Sequence, residues 1–288
     1  MDLLRTMISV VIDVGGSGID YYDLKTGDKK SITYAKQLLE MNSINDIDSE
    51  FICNCIDGFL HLVPKNKLPE VIIGLPGPIT SSKTTLVNCP PLNTSINIEK
   101  YRSLGIRVLN DVTSQVPLVE NRKLVGNKPS VLVTIGTSLG YCSFDPVFDL
   151  EERLLSTTSR ELAHLRLSQF SSYPLNQLQR LIHSESNECI YKLFSAGGFA
   201  RCLGASVETR RNGMLYVTSA AMVDVLNEVG NTKRIELWVQ SLSMLLRMFF
   251  EHNEKTFTPL QLYMRGGFLK AVSQSCYKQI FEQYFILL

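Results

Sequence analysis

Apolar residues enter this chain in short runs closed by glycine. Residues 7–14, rich in Val and Ile, predict a buried strand that runs straight into Gly15 and Gly16. The stretch after Gly18 has no helical period, and its Lys25-Thr26-Gly27-Asp28 cluster predicts a second hairpin turn, so the opening reads as an antiparallel meander. From 44 to 63 the apolar positions recur at steps of three and four, which predicts an amphipathic helix. Strands follow at 71–75, ending in Gly74-Leu75-Pro76-Gly77-Pro78, and at 106–109, ending in Asn110 and Asp111 before a helix. The theme then repeats: 130–135 is an apolar strand, 136–140 a glycine turn, and 141–144 strand again. Mostly helical sequence comes next, including 189–203 and a long segment over 234–252 that is apolar on nearly every side. A last strand at 260–264 closes on Gly266-Gly267. The repeat of the strand, glycine tip, strand unit places a domain boundary near residue 112, giving lobes 1–112 and 113–288.

Composition narrows the picture. The 288 residues are 44% hydrophobic and 20% charged, which excludes disorder and is enough chain for two domains. Lys plus Arg total 29 against 28 Asp plus Glu, so no basic footprint for nucleic acid or an anionic membrane is present. The first apolar run is interrupted by Asp13 and the SMLLRMFF stretch is broken by Arg247, and neither reads as a signal peptide or membrane span. Seven scattered cysteines read as reduced thiols, which points to a cytoplasmic protein.

The chemistry lies in the turns. A phosphate-binding glycine loop of the dinucleotide or P-loop kind must lead into a helix, whereas DVGGSG leads into a strand and no GKS or GKT occurs. A hairpin tip still presents backbone N–H groups at which glycine allows close approach, and two such tips could grip a triphosphate. Taken alone, each is better explained as a tight turn. Asp111 has a similar double reading: a carboxylate at a strand end can act as a general base, and Asp between a strand and a helix is also a favoured cap.

The ordered set DVGGSG (13–18), GLPGPI (74–79), VLND (108–111), TIGTSLG (134–140), ELAHL (161–165) and MRGG (264–267) resembles the ROK family of sugar kinases, within the actin and hexokinase-like ATPase superfamily. The resemblance implies an α/β protein of two lobes, each a mixed β-sheet with flanking helices, in which ATP and a hexose or N-acylhexosamine meet. Asp13, Gly15, Gly16 and Ser17 resemble the first phosphate motif, with Asp13 near the magnesium ion. Gly136 and Thr137 resemble the second phosphate motif, and Gly266 and Gly267 the turn beside the adenosine. Asn110 and Asp111 resemble the pair that binds the sugar, Asp111 being the catalytic base, and Gly77, Glu161 and His164 belong to the sugar side. Tyr191 stands where the family carries a further sugar-binding glutamate. Zinc-containing members follow the histidine with CxCGxxGC, but this chain offers only Cys189 and His183 there, so no structural zinc is expected. The implied cofactors are ATP and magnesium and the implied partner is a small sugar, with no nucleic acid or membrane; oligomeric state stays open, a homodimer being one arrangement. A non-catalytic sugar-binding relative and a kinase for a non-sugar hydroxyl remain the alternatives.

Overall fold

The computed structural model describes residues 8–16, 18–34, 48–80, 82–86, 95–124, 128–160, 162–185, 187–209, 215–228, 230–254 and 260–288. Ser17 and Glu161 lie outside the described residues. The chain forms two compact units, one of residues 1–124 with 147–157 and the other of 125–146 with 158–288.

In the first unit, β1 (Val10–Val14), β2 (Gly18–Asp23) and β3 (Lys29–Thr33) make the expected antiparallel meander. β4 (Val71–Leu75) and β7 (Arg107–Asn110) add in parallel to give the order β3-β2-β1-β4-β7, while β5 (Lys83–Thr85) and β6 (Ser95–Asn97) pair separately. β1 and β4 lie at the centre, covered on both faces, which is why they read as nearly continuous apolar runs, broken in β1 at Asp13, rather than alternating ones. Helix α1 (Ser49–Leu60) begins where the Asp48 carboxylate accepts the Phe51 N–H at 2.8 Å, and it buries Ile52, Ile56 and Phe59 against the sheet core. A helical turn α2 (Glu99–Arg102) precedes β7, and α3 (Leu150–Ser156) joins this unit from far along the chain.

The second unit repeats the design. β8 (Ser130–Ile135), β9 (Leu139–Phe144) and β10 (Thr158–Ser159) form an antiparallel meander. β11 (Glu208–Thr209) pairs with β12 (Leu215–Tyr216), and β13 (Gln261–Arg265) and β14 (Ile286–Leu287) extend the main sheet in parallel, in the order β10-β9-β8-β13-β14. Both main sheets are thus a meander followed by two parallel strands, with the two glycine tips at equivalent hairpins. The helices are α4 (Tyr173–Leu181), α5 (Tyr191–Phe194), α6 (Ala196–Cys202), α7 (Ser219–Asn227), α8 (Thr232–Glu254), α9 (Leu269–Gln274) and α10 (Lys278–Glu282). The core is organised on Trp238 of α8, whose indole N–H donates to the Leu193 carbonyl at 2.8 Å and whose ring meets Phe194, Phe199, Phe268 and Phe281. No helix among the described residues is long and apolar enough to cross a membrane.

The first unit runs past the expected boundary at 112, for two physical reasons. The 3₁₀ helix Thr113–Leu118 packs onto β4, where Gly74 leaves room for the Ser114 side chain. Residues 147–157 then return to the same unit through Arg153, which is 1% exposed and donates to the Val119 carbonyl.

Candidate active site

Three adjacent parallel strands of the first unit end together. Asp13 of β1 is opposite Gly74 of β4, Gly74 is opposite Leu109 of β7, and Leu75 is opposite Asn110. The Asp111 N–H donates to the Leu75 carbonyl at 3.1 Å, which pins the residue to the end of β4. Open α/β sheets bind ligands at such carboxyl ends, because the loops there diverge and leave backbone groups accessible. A side chain on Gly74 would sit 2.0 Å from Ser114 Oγ and 3.3 Å from Asp111 Cα, so only glycine lets the segment after Asp111 lie this close. That approach carries Gln115 across β4, where its Nε2 donates to Asp13 Oδ2 at 2.8 Å. Asp13 and Asp111, distant in sequence, therefore belong to one constructed end of one sheet.

Asn110 folds a local side-chain turn at this strand end. Asn110 Oδ1 accepts the Val112 N–H at 3.1 Å, and its Nδ2 donates to the Gly77 carbonyl at 3.5 Å. Gly77 has φ of +131° and a side chain there would meet the Thr85 carbonyl at 2.2 Å, so its place in the GLPGPI turn has a backbone explanation. In the β1–β2 tip the Gly15 N–H donates to the Gly18 carbonyl at 2.9 Å, with Gly16 half-buried beside it.

In the second unit the tip between β8 and β9 holds Gly136 and Thr137. The Gly136 N–H donates to the Ser138 carbonyl at 3.0 Å, and its own carbonyl accepts the Ala196 N–H at 2.8 Å. The MRGG turn lies against this tip, because β13 pairs with β8 and Arg265 is opposite Thr134. Gly266 packs its Cα onto the Ile135 backbone, whereas Gly136 and Gly267 face open space. The structure thus joins the two glycine turns of this unit.

Leu162–Leu165 forms a turn in which the Leu165 N–H donates to the Leu162 carbonyl at 3.1 Å. The turn is stitched to 188–191: Leu167 N–H to Glu188 O at 2.9 Å, Ile190 N–H to Leu165 O at 2.9 Å, and Tyr191 N–H to Ala163 O at 3.0 Å. His164 is exposed, and the ring of Tyr191, 6% exposed, meets it edge-on with centroids 5.4 Å apart. Burial pushes the Tyr191 hydroxyl above its ordinary pKa, with the Cys189 thiol adding to the shift. Tyr191 is therefore a wall behind His164. The nearby carboxylate, Glu188, is occupied: it accepts from Arg201 at 3.1 Å and from Ser184. Burial alone would raise its pKa, but these hydrogen bonds outweigh it and hold the group below the usual carboxylate range.

Sequence reasoning missed Gln115, and no local pattern marks an amide whose partner lies on another strand. Among the described residues no group of three or more His, Cys, Asp or Glu side chains is placed to hold a metal ion. Asp13 is a hard oxygen donor of the kind magnesium takes singly, with waters and phosphate oxygens completing the shell.

The chain shares its fold with solved ROK family proteins and glucokinases. A ROK family glucokinase from Streptomyces griseus, solved with glucose and AMPPNP, is 13% identical, with 96% of this chain and 89% of that one covered at a TM-score of 0.54. A ROK family protein from Streptococcus pneumoniae, in complex with sucrose, is 16% identical over 96% of this chain and 86% of that one, with a TM-score of 0.53. A glucokinase from Balamuthia mandrillaris, in complex with glucose, is 11% identical over 96% and 88%, at 0.51. No protein-family model matches the chain, and no curated protein matches its sequence.

Proposed function

We propose that this protein is an ATP-dependent kinase that phosphorylates a hydroxyl of a hexose or N-acylhexosamine, with Asp111 as general base. The observation that carries the reading is the shared end of β1, β4 and β7, which brings Asp111 and the Gln115-braced Asp13 to one edge of the sheet. A sugar hydroxyl is a poor nucleophile. Asp111 accepts its proton as the oxygen attacks the terminal phosphorus in line, and the bond to the ADP oxygen breaks. Asp13 is the residue that would hold magnesium, through its carboxylate and intervening water. Magnesium when bound neutralises charge on the phosphates. Gly15, Gly16 and Ser17 in one tip, and Gly136 and Thr137 in the other, offer the phosphates N–H and hydroxyl donors, and Gly266-Gly267 borders the adenosine. Asn110, Gly77, Glu161 and His164 orient the sugar, with Tyr191 backing His164. The structural neighbours solved with glucose, with sucrose, and with glucose and AMPPNP support a sugar and ATP as the two ligands.

The test is a coupled assay of ADP release over a panel of hexoses and N-acylhexosamines. Sugar-dependent release is expected, and none with any member would overturn the kinase reading. Tyr191 in place of a carboxylate favours the second reading, a sugar-binding relative without turnover. That reading gains if sugars raise the thermal midpoint in the same panel without ADP release.

The open space at Gly136 yields a separate expectation. Its φ lies outside the left-handed region and an added Cβ meets no protein atom within 4 Å, so Gly136→Ala should fold as well as the parent. If the space serves the phosphates, the variant raises the KM for ATP by about tenfold or more while the KM for sugar stays put. An unchanged KM for ATP would remove Gly136 from the phosphate site.

A further inference from the structure

The β9–β10 connection is much longer than a hairpin needs, and a long excursion of this kind is usually functional. Both strands belong to the second unit, yet the residues between them form α3 and pack with the first. Local chemistry makes the helix: the Asp149 carboxylate accepts the Glu152 N–H at 3.0 Å, and Ser156 Oγ and Thr157 Oγ1 both donate to the Arg153 carbonyl at 2.8 Å. Its central residue is a buried arginine. A guanidinium is costly to bury unless its donors are met, and here Nε donates to the Val147 carbonyl at 2.9 Å, Nη1 to the Val119 carbonyl at 2.8 Å, and Nη2 to Asn121 Oδ1. Two residues earlier, Glu151 takes both ends of the Arg107 guanidinium, at 2.5 and 2.6 Å.

Three of these partners have a pattern in the sequence. Arg107 stands in β7 just before Asn110-Asp111, while Val119 and Asn121 stand just after the 3₁₀ helix that follows. Helix α3 therefore holds the chain on both sides of Asp111. The held span includes Ser114, seated at Gly74, and Gln115, bonded to Asp13. We propose that α3 is a clamp on the catalytic segment, and that Arg107, Glu151 and Arg153 are positioning residues that set where the Asp111 carboxylate stands. The catalytic part of this statement rests on the kinase reading; the clamp itself does not.

Arg153 is so buried that its variants risk failing to fold, so the test uses the half-exposed pair. Arg107→Gln, Glu151→Gln and the swapped double variant Arg107→Glu with Glu151→Arg are compared with the full-length parent by amide hydrogen exchange without ligand, and by ADP release with the best sugar. In each single variant the amides of 111–119 are expected to exchange about tenfold faster, and kcat to fall about tenfold with the KM for ATP unchanged. The double variant restores both. A pair that merely glued the surface would leave kcat alone. Unchanged exchange at 111–119 overturns the clamp whatever the assay gives. Faster exchange with undiminished kcat, in a protein that Asp111→Asn inactivates, overturns the positioning role. If Asp111→Asn is itself fully active, the kinase mechanism is what fails, and exchange alone then decides the clamp.

Discussion

Asp111→Asn is expected to lower kcat for sugar phosphorylation by about two to four orders of magnitude, the usual contribution of a positioned general base, while the thermal midpoint stays within a few degrees of the parent. The folding half of this expectation comes from the structure. The Asp111 N–H donates to the Leu75 carbonyl and its own carbonyl accepts from Ser114 Oγ, and both backbone bonds survive the change. Asn110, which the change leaves in place, accepts the Val112 N–H at the start of the following helix. A carboxamide of the same shape keeps the packing and cannot take a proton at neutral pH. Single-turnover assays with the sugar panel, run beside circular dichroism melts, read both quantities. Near-parental turnover in a folded variant would remove Asp111 as the base, and unfolding would return it to a structural role.

Gly266→Ala is expected to cost about 3 kcal/mol or more of stability, against little or none for Gly136→Ala at the end of the neighbouring strand. Gly266 has φ of +152°, a conformation that L side chains rarely adopt, and an added Cβ would lie 1.9 Å from the Ile135 carbonyl oxygen and 2.9 Å from its carbon. Strain of this kind costs about 1 to 3 kcal/mol, and forcing backbone apart in a packed sheet adds a similar amount. The contact joins the ends of β13 and β8, both buried, so neither strand can give way cheaply. Urea titrations of the two variants make the comparison, and equal midpoints would show that the close approach at Gly266 is relaxed in solution. The pair separates two meanings of a glycine motif: Gly266 serves the fold, and Gly136 leaves space beyond it.

Much of the architecture was legible along the chain. The runs at 71–75 and 130–135 coincide with β4 and β8, and the opening meander pairs as expected, because central strands covered on both faces must be apolar at every position. The period over 234–252 marks α8, since a helix packed on most sides needs apolar residues on most sides. The helix expected over 189–203 forms as two, α5 and α6, broken where Ser195 leaves helical geometry to accept the Gly198 N–H with its side chain. The residues after Gly267 still supply two short helices and the closing strand β14.

What the sequence determined by itself is the local vocabulary: strands, glycine tips and the order of the motifs, all encoded in neighbouring residues through period and backbone preference. The tertiary structure alone decided which of these meet. Gln115 reaches Asp13 only because Gly74 lets Ser114 approach, and Arg107 finds Glu151 only because residues 147–157 return to the first unit. Such contacts join residues far apart in the chain, and their energy depends on burial and geometry that no window of sequence contains. For the same reason residues 162–165 form a turn: four backbone bonds along 162–167 and 188–191 outweighed the modest helical preference of these residues.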